Sequence, residues 1–202
     1  MPSTENQAPR AEAPLEAPDE DQARLASRLR AQRLAAGLSL AGLAAATGLT
    51  KGYLSKVERG VGQPSIGTVF RIAEALGVPV GQLLASGGAR SQVADVARVA
   101  ARPASPPTEA LHLRPLLPGG PGRLIAIEMW PPMEARPAQD QSTHAGEELL
   151  HVLSGRMEIL FETETLVLEC GDTLRFDARR PHRTRSLGAE RARVLVVLAA
   201  EG

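Results

Sequence analysis

The spacing of Leu43, Ala44, Gly48, Leu49, Leu54 and Val57 leaves this chain few choices. Two short helices joined by one tight turn can touch only if a small residue stands at their crossing, a glycine takes the turn, and branched side chains fill the wedge. Ala44, Gly48 and the flanking leucines and valine meet those demands in that order. The surroundings agree. Ser39 and Thr50 are hydroxyl residues of the kind that cap a helix start, which predicts helices over Leu40 to Thr47 and from Lys51 onward. Upstream, Leu25 and Leu29 recur one turn apart with Arg33 on the next turn, until Gly37 supplies the left-handed conformation that closes a helix. Downstream, Pro64 and Ser65 open a fourth helix with Ile66, Val69, Ala73 and Leu76 on its buried face; Gly77 ends it and Pro79 prevents its continuation.

After Leu111 the periodicity changes. Leu124–Trp130, Glu148–Leu153, Met157–Phe161, Leu166–Leu168, Thr173–Phe176 and Val194–Leu198 are short apolar or alternating runs separated by glycine, proline or charged turns. That pattern predicts an antiparallel barrel or jelly roll. A chain of 202 residues is long enough for two small domains with separate cores. The predicted organisation is a disordered acidic tail over 1–20, an all-α domain over 21–86, a linker over 87–108 and an all-β domain over 109–202. The linker opens on Gly87 and Gly88, is stiffened by Pro103, Pro106 and Pro107, and has room for a short helix over Val93–Ala101.

Net charge is zero, but the charges are segregated. Residues 21–86 carry eight basic against three acidic side chains, whereas the first twenty carry one against five. A neutral total therefore hides a basic helical domain suited to a polyanion. The tail, rich in proline, alanine and glutamate, has almost nothing to bury, and it lacks the basic start and apolar centre of a signal peptide. The apolar run Val194–Ala200 is a strand's worth, far short of a membrane span. With Cys170 alone no internal disulfide can form, which fits a reducing cytoplasm.

Leu38 to Val80, with GYLSKVERG, then PS, then RIAEALGVPV, resembles the phage-repressor-type helix-turn-helix of the xenobiotic-response-element (XRE) family. The resemblance extends over about Asp21 to Ser86 and implies a lambda-repressor-like DNA-binding fold, in which Arg33 and Glu58 occupy the places of a structural ion pair. A recognition helix enters the major groove by its N-terminal end, so Lys51, Gly52, Ser55 and Lys56 are expected at base edges. Lys51 and Lys56 are the chain's two lysines. Ser39, Thr50 and Arg59 are expected at phosphates. Gly42 and Gly52 depart from the family pattern, and Gly52 brings no side chain to readout.

The second half resembles the cupin family over about Thr108 to Ala200. His144 to Glu148, Val152 to Gly155, Gly171-Asp172 and Pro181-His182 correspond to its two blocks. Matched residue by residue, His144, Glu148 and His182 take the places of three metal ligands, and Ser142 stands where the family's first histidine would be. Asp177, Arg179 and Ser186 replace the second block's proline, glycine and asparagine. Two imidazoles and a carboxylate would suit one divalent transition metal, Zn, Fe, Mn or Ni. The alternatives are an organic effector held by the same side chains without any cofactor, or a purely structural cluster. The expected effector pocket comprises Trp130, Ser142, His144, Glu148, His182 and Thr184. Three residues past Glu148 on a strand, His151 should face outward. Cys170 reads as a packed or half-exposed thiol, and Arg179, Arg180, Arg183 and Arg185 as a solvated rim.

Joined, the two resemblances imply a bacterial, sequence-specific transcription regulator: a homodimer on near-palindromic double-stranded DNA, whose barrel binds an effector that modulates operator binding. The expectation is a non-enzyme. The alternative is a metal-dependent cupin enzyme of dioxygenase or isomerase type that carries a DNA-binding module.

Overall fold

The computed structural model describes residues 20–84, 110–117, 124–137 and 140–199, together with the backbone of two short strands at 89–90 and 95–96. Five helices come first: α1 (Glu20–Ala35), α2 (Leu40–Thr47), α3 (Lys51–Glu58), α4 (Ile66–Leu76) and α5 (Val80–Leu83). Their ends follow the caps foreseen. Ser39, Thr50 and Ser65 accept from the backbone N–H of Gly42, Tyr53 and Thr68, and Gly48 takes φ +68° in the turn between α2 and α3. Because only glycine adopts that left-handed backbone without cost, the sharp reversal that sets α3 against α2 rests on it. Leu43, Leu54 and Val57 are buried together with Leu29, Val69 and Ile72. Glu20, placed in the tail by sequence, is the first residue of α1.

Ten strands follow. Strands β1 (Ala89–Arg90) and β2 (Asp95–Val96) pair antiparallel, so the helix expected over Val93–Ala101 is not formed at Asp95–Val96, where a β-branched residue suits extended backbone. The rest of that span, the Gly87–Gly88 pair and residues 1–19 lie outside the described residues. The barrel comprises β3 (His112–Pro115), β4 (Leu124–Trp130), β5 (Glu147–Ser154), β6 (Arg156–Phe161), β7 (Thr165–Glu169), β8 (Thr173–Asp177), β9 (His182–Leu187) and β10 (Arg193–Ala199). They form an antiparallel five-stranded sheet, β3-β4-β10-β5-β8, facing a three-stranded sheet, β7-β6-β9. Strands β3 and β9, with sequences HLRP and HRTRSL, carry too few apolar residues to announce themselves.

Alternation sorts the side chains. Ile125, Ile127 and Met129 of β4, Leu150 and Val152 of β5, and Val194, Val196 and Leu198 of β10 point inward and are buried. Glu148 holds the next inward position on β5, in line with Leu150 and Val152. Trp130 follows the inward Met129 and therefore belongs to the other face of the sheet. There it meets His112 edge-on at 5.2 Å and lies under the Arg114 guanidinium at 4.6 Å.

Separate cores were expected, yet the buried apolar residues of helices and barrel form one connected cluster. The halves meet along two lines. On the outer face of β3, Arg114 is 3.6 Å from Asp21 of α1 and 3.1 Å from Glu128, which also pairs with Arg193 at 2.6 Å. At the mouth of the barrel sits the start of α4. The Gly67 backbone N–H donates to Ser142 Oγ at 2.9 Å, the Phe70 ring stacks on the His144 imidazole at 4.4 Å and 8°, and Arg136 donates to the Gln63 carbonyl.

Candidate functional site

The face expected to meet DNA is formed by α3 and its neighbours. Lys51, Gly52, Lys56 and Arg59 are exposed and Ser55 is half-buried, whereas Leu54 and Val57 on the opposite side are buried. Arg33 Nε and Nη2 bond both Glu58 oxygens at 2.6 and 2.9 Å, and Arg33 Nη1 reaches the Leu38 carbonyl at 2.7 Å. That fork ties α1 to the end of α3. The hydroxyls of Ser39 and Thr50 accept capping bonds at 3.0 and 3.1 Å, which leaves the O–H of each able to donate to a phosphate oxygen. Arg59 is held by a bond from its Nε to the Ser55 carbonyl at 3.2 Å, at the far end of the same exposed face. On the inner side, burial raises the pKa of the Tyr53 phenol above its ordinary value, against the opposing positive charge of Arg136 on the barrel and the nearby Thr68 hydroxyl of α4. Helices α3 and α4 both pack on α2 and share one buried cluster.

At the barrel mouth the structure brings His144, Glu148 and His182 together. Both histidine Nε2 atoms face one carboxylate oxygen, Glu148 Oε2, at 3.1 and 3.5 Å. Each Nδ1 bonds a backbone carbonyl, Ala145 at 3.2 Å and Arg180 at 2.9 Å. Burial alone would raise the Glu148 carboxyl, but the hydrogen bonds and charges of His144 and His182 outweigh it and hold the pKa at about 2. A fully buried carboxylate is thus ionised and neutralised from two sides. The first-ligand position is occupied by Ser142, whose hydroxyl is taken by Gly67 of α4. As they stand, the three donors are spent on one another and the fourth position on an interdomain bond. Among the described residues no group of three or more His, Cys, Asp or Glu side chains is placed to hold a metal ion.

Between these groups and α4 is a void of about 40 Å³. Met129, Ser142, Glu148, His182 and Thr184 line it from the barrel, and Ser65 and Ile66 close it from the helical domain. Of the pocket residues foreseen, Ser142, Glu148, His182 and Thr184 are there. Trp130 is not, because strand alternation turns it to the outer face. His144 bonds Glu148 but contributes its ring to the cleft outside. The contributions of Gly67, Phe70 and Arg136 had no sequence signal beyond a glycine placed inside the first turn of a helix. His151 faces outward and bonds Thr173 at 2.9 Å, and exposed Cys170 donates to the Leu153 carbonyl at 3.4 Å. Each rim arginine has its own anchor: Arg179 with Asp177, Arg180 with Glu164, Arg183 with the Arg136 carbonyl and Arg185 with Glu158.

Known proteins match this layout. Residues 29–83 fit the helix-turn-helix family model and residues 128–198 the cupin-domain model. The HTH-type transcriptional regulator SutR of Escherichia coli (strain K12) is 30% identical over 170 residues, spanning 82% of this chain and 89% of that protein. The chain belongs to the XRE-type helix-turn-helix transcriptional regulators with a C-terminal cupin domain. Such a regulator acts by binding DNA through its helical domain. The crystal structure of an HTH_3 family transcriptional regulator from Vibrio cholerae superposes with a TM-score of 0.60 at 24% identity, covering 90% of this regulator and 98% of that chain, a likeness of fold. Hydroxypropylphosphonic acid epoxidase from S. wedmorenis aligns over 89% of this chain and 98% of its own at 21% identity, but its TM-score of 0.40 carries no argument about chemistry. Among the described residues no helix is long and apolar enough to cross a membrane.

Proposed function

We propose that this regulator binds a near-palindromic operator as a two-fold dimer, and that an organic effector at the α4–barrel junction controls the affinity. Two copies of α3 would enter successive major grooves roughly 34 Å apart. The observation that carries the reading is the seating of α4 on the barrel mouth through Gly67 and Phe70. The void behind α4, at about 40 Å³, has room for a few water molecules and not for a metabolite. A ligand of several heavy atoms enters that void only by moving α4, and α3 moves with it. It changes operator affinity only through its unequal affinity for the seated and unseated arrangements.

Gly67 gives a direct test. A Cβ there would lie 2.6 Å from Thr143 N and 2.8 Å from both Ser142 Oγ and Thr143 O, so Gly67→Ala cannot seat. The helix itself gains from alanine by roughly 0.5–1 kcal/mol. The expected result is a helical domain that still folds but is no longer pre-positioned, with operator affinity in full-length protein reduced by about ten-fold. Unreduced affinity for an operator selected from random DNA would remove the seat from the mechanism. Near-stoichiometric Zn, Fe, Mn or Ni in purified protein, lost in His144→Ala and His182→Ala, would replace the organic effector with a metal.

A further inference from the structure

The Phe70–His144 stack has a second side. Beyond it lies a cleft of about 490 Å³ between α4, α5 and the barrel segments at 143–145 and 179, within the range of small-molecule sites and more than ten times the void behind α4. Its walls are unequal. Phe70, Ala73, Val78 and Val80 supply an apolar side from the helical domain, while Arg71, Thr143 and Arg179 supply polar groups around it.

Arg71 is the informative one. Its Nε is buried and has no hydrogen-bond partner among the described residues. Glu74, one turn further along α4 and also on the cleft, is exposed and forms no ion pair with it. A guanidinium N–H that no protein acceptor takes is satisfied by an acceptor brought in with a ligand. The planar fork of arginine matches a carboxylate with two parallel bonds. Arg179, paired with Asp177 at 3.6 Å in an exposed contact, adds positive potential on the barrel side. A phosphate dianion suits the cleft less well, since Glu74 stands on the same rim and most of the wall is apolar.

We infer that this interdomain cleft binds a small organic monocarboxylate, its carboxylate on Arg71 and its apolar body against Phe70, Val78 and Val80. The ligand spans α4 and the barrel beside the stack that seats them, so it is placed to act as the effector. That last step rests on the seating mechanism proposed above; binding itself does not.

The test is calorimetric titration of full-length protein with benzoate, phenylacetate and hexanoate, with benzamide as the neutral isostere of benzoate. Saturable binding of at least one carboxylate is expected, with benzamide weaker than benzoate by at least about ten-fold. Arg71→Gln should weaken the bound carboxylate about ten-fold or more while leaving ligand-free operator affinity unchanged. Absence of saturable binding by all three acids, equal binding of benzoate and benzamide, or indifference to Arg71→Gln overturns the assignment. Carboxylate binding that depends on Arg71 but leaves the operator dissociation constant unmoved confirms the site and overturns the seating mechanism instead.

Discussion

Single residues divide into those whose chemistry the sequence exposes and those whose role depends on a neighbour far along the chain. Lys51 and Lys56 belong to the first kind: both are exposed on α3, Lys51 at its first residue and Lys56 in its last turn, away from Leu54 and Val57. The double variant Lys51→Ala, Lys56→Ala should lose sequence-specific operator binding by about 2–6 kcal/mol, two base contacts' worth, with an unchanged thermal midpoint. Operator binding at wild-type strength in that variant would dismiss these two side chains from readout. Glu148 belongs to both kinds, since its place in the cupin pattern was legible but its ionisation was not. Its folded pKa, about 2, lies below the ordinary 4.5, so its contribution to stability is complete above about 4.5 and is lost as pH falls toward about 2. That contribution is on the order of 3 kcal/mol. Urea midpoints measured from pH 6 to pH 2 should therefore fall more steeply in wild type than in Glu148→Gln, and parallel curves would contradict the buried, ionised carboxylate.

At the scale of elements, α1 and α3 are joined by the Arg33–Glu58 fork, with both side chains under a tenth exposed. A fork of this kind contributes less than its geometry suggests, but removing one partner strands the other charge in the interior. Glu58→Ala should cost about 3–5 kcal/mol in chemical denaturation, whereas a loss below about 1 kcal/mol would mean that water reaches Arg33. The helices were legible because each carries its own start and stop: Ser39, Thr50 and Ser65 before, Gly48 and Gly77 after. Six barrel strands were legible from alternation. Strands β3 and β9 were not, because their polar side chains are buried only through partners, His112 beneath Trp130 and His182 beside Glu148. Trp130 shows the same limit from the other direction. It is expected on the pocket wall, but a period of two from Ile125, Ile127 and Met129 assigns it to the outer face, where it is buried.

The whole molecule is joined by the α4 seat, the Arg136–Gln63 bond and the Asp21–Arg114 contact into one buried cluster. Wild type should accordingly unfold in a single calorimetric transition and Gly67→Ala in two, helical domain and barrel melting apart; two transitions already in wild type would show that the contacts do not couple the halves. Local sequence determined the kind of protein this is. Caps, glycine turns and short-range apolar spacing act within a few residues, so the helix-turn-helix, its exposed lysines and the cupin blocks could be read directly. Only the tertiary structure decided where the two halves meet. Gly67 and Ser142 are 75 positions apart, as are Phe70 and His144 nearly so, and no local preference relates them. The close approach that excludes a Cβ at Gly67, the ring stack on a histidine, and the choice between a filled barrel and an open cleft all arise from packing between distant segments. Ser142, His144 and His182, which a local reading assigns to the barrel alone, are thus brought against α4 by contacts that no local pattern encodes.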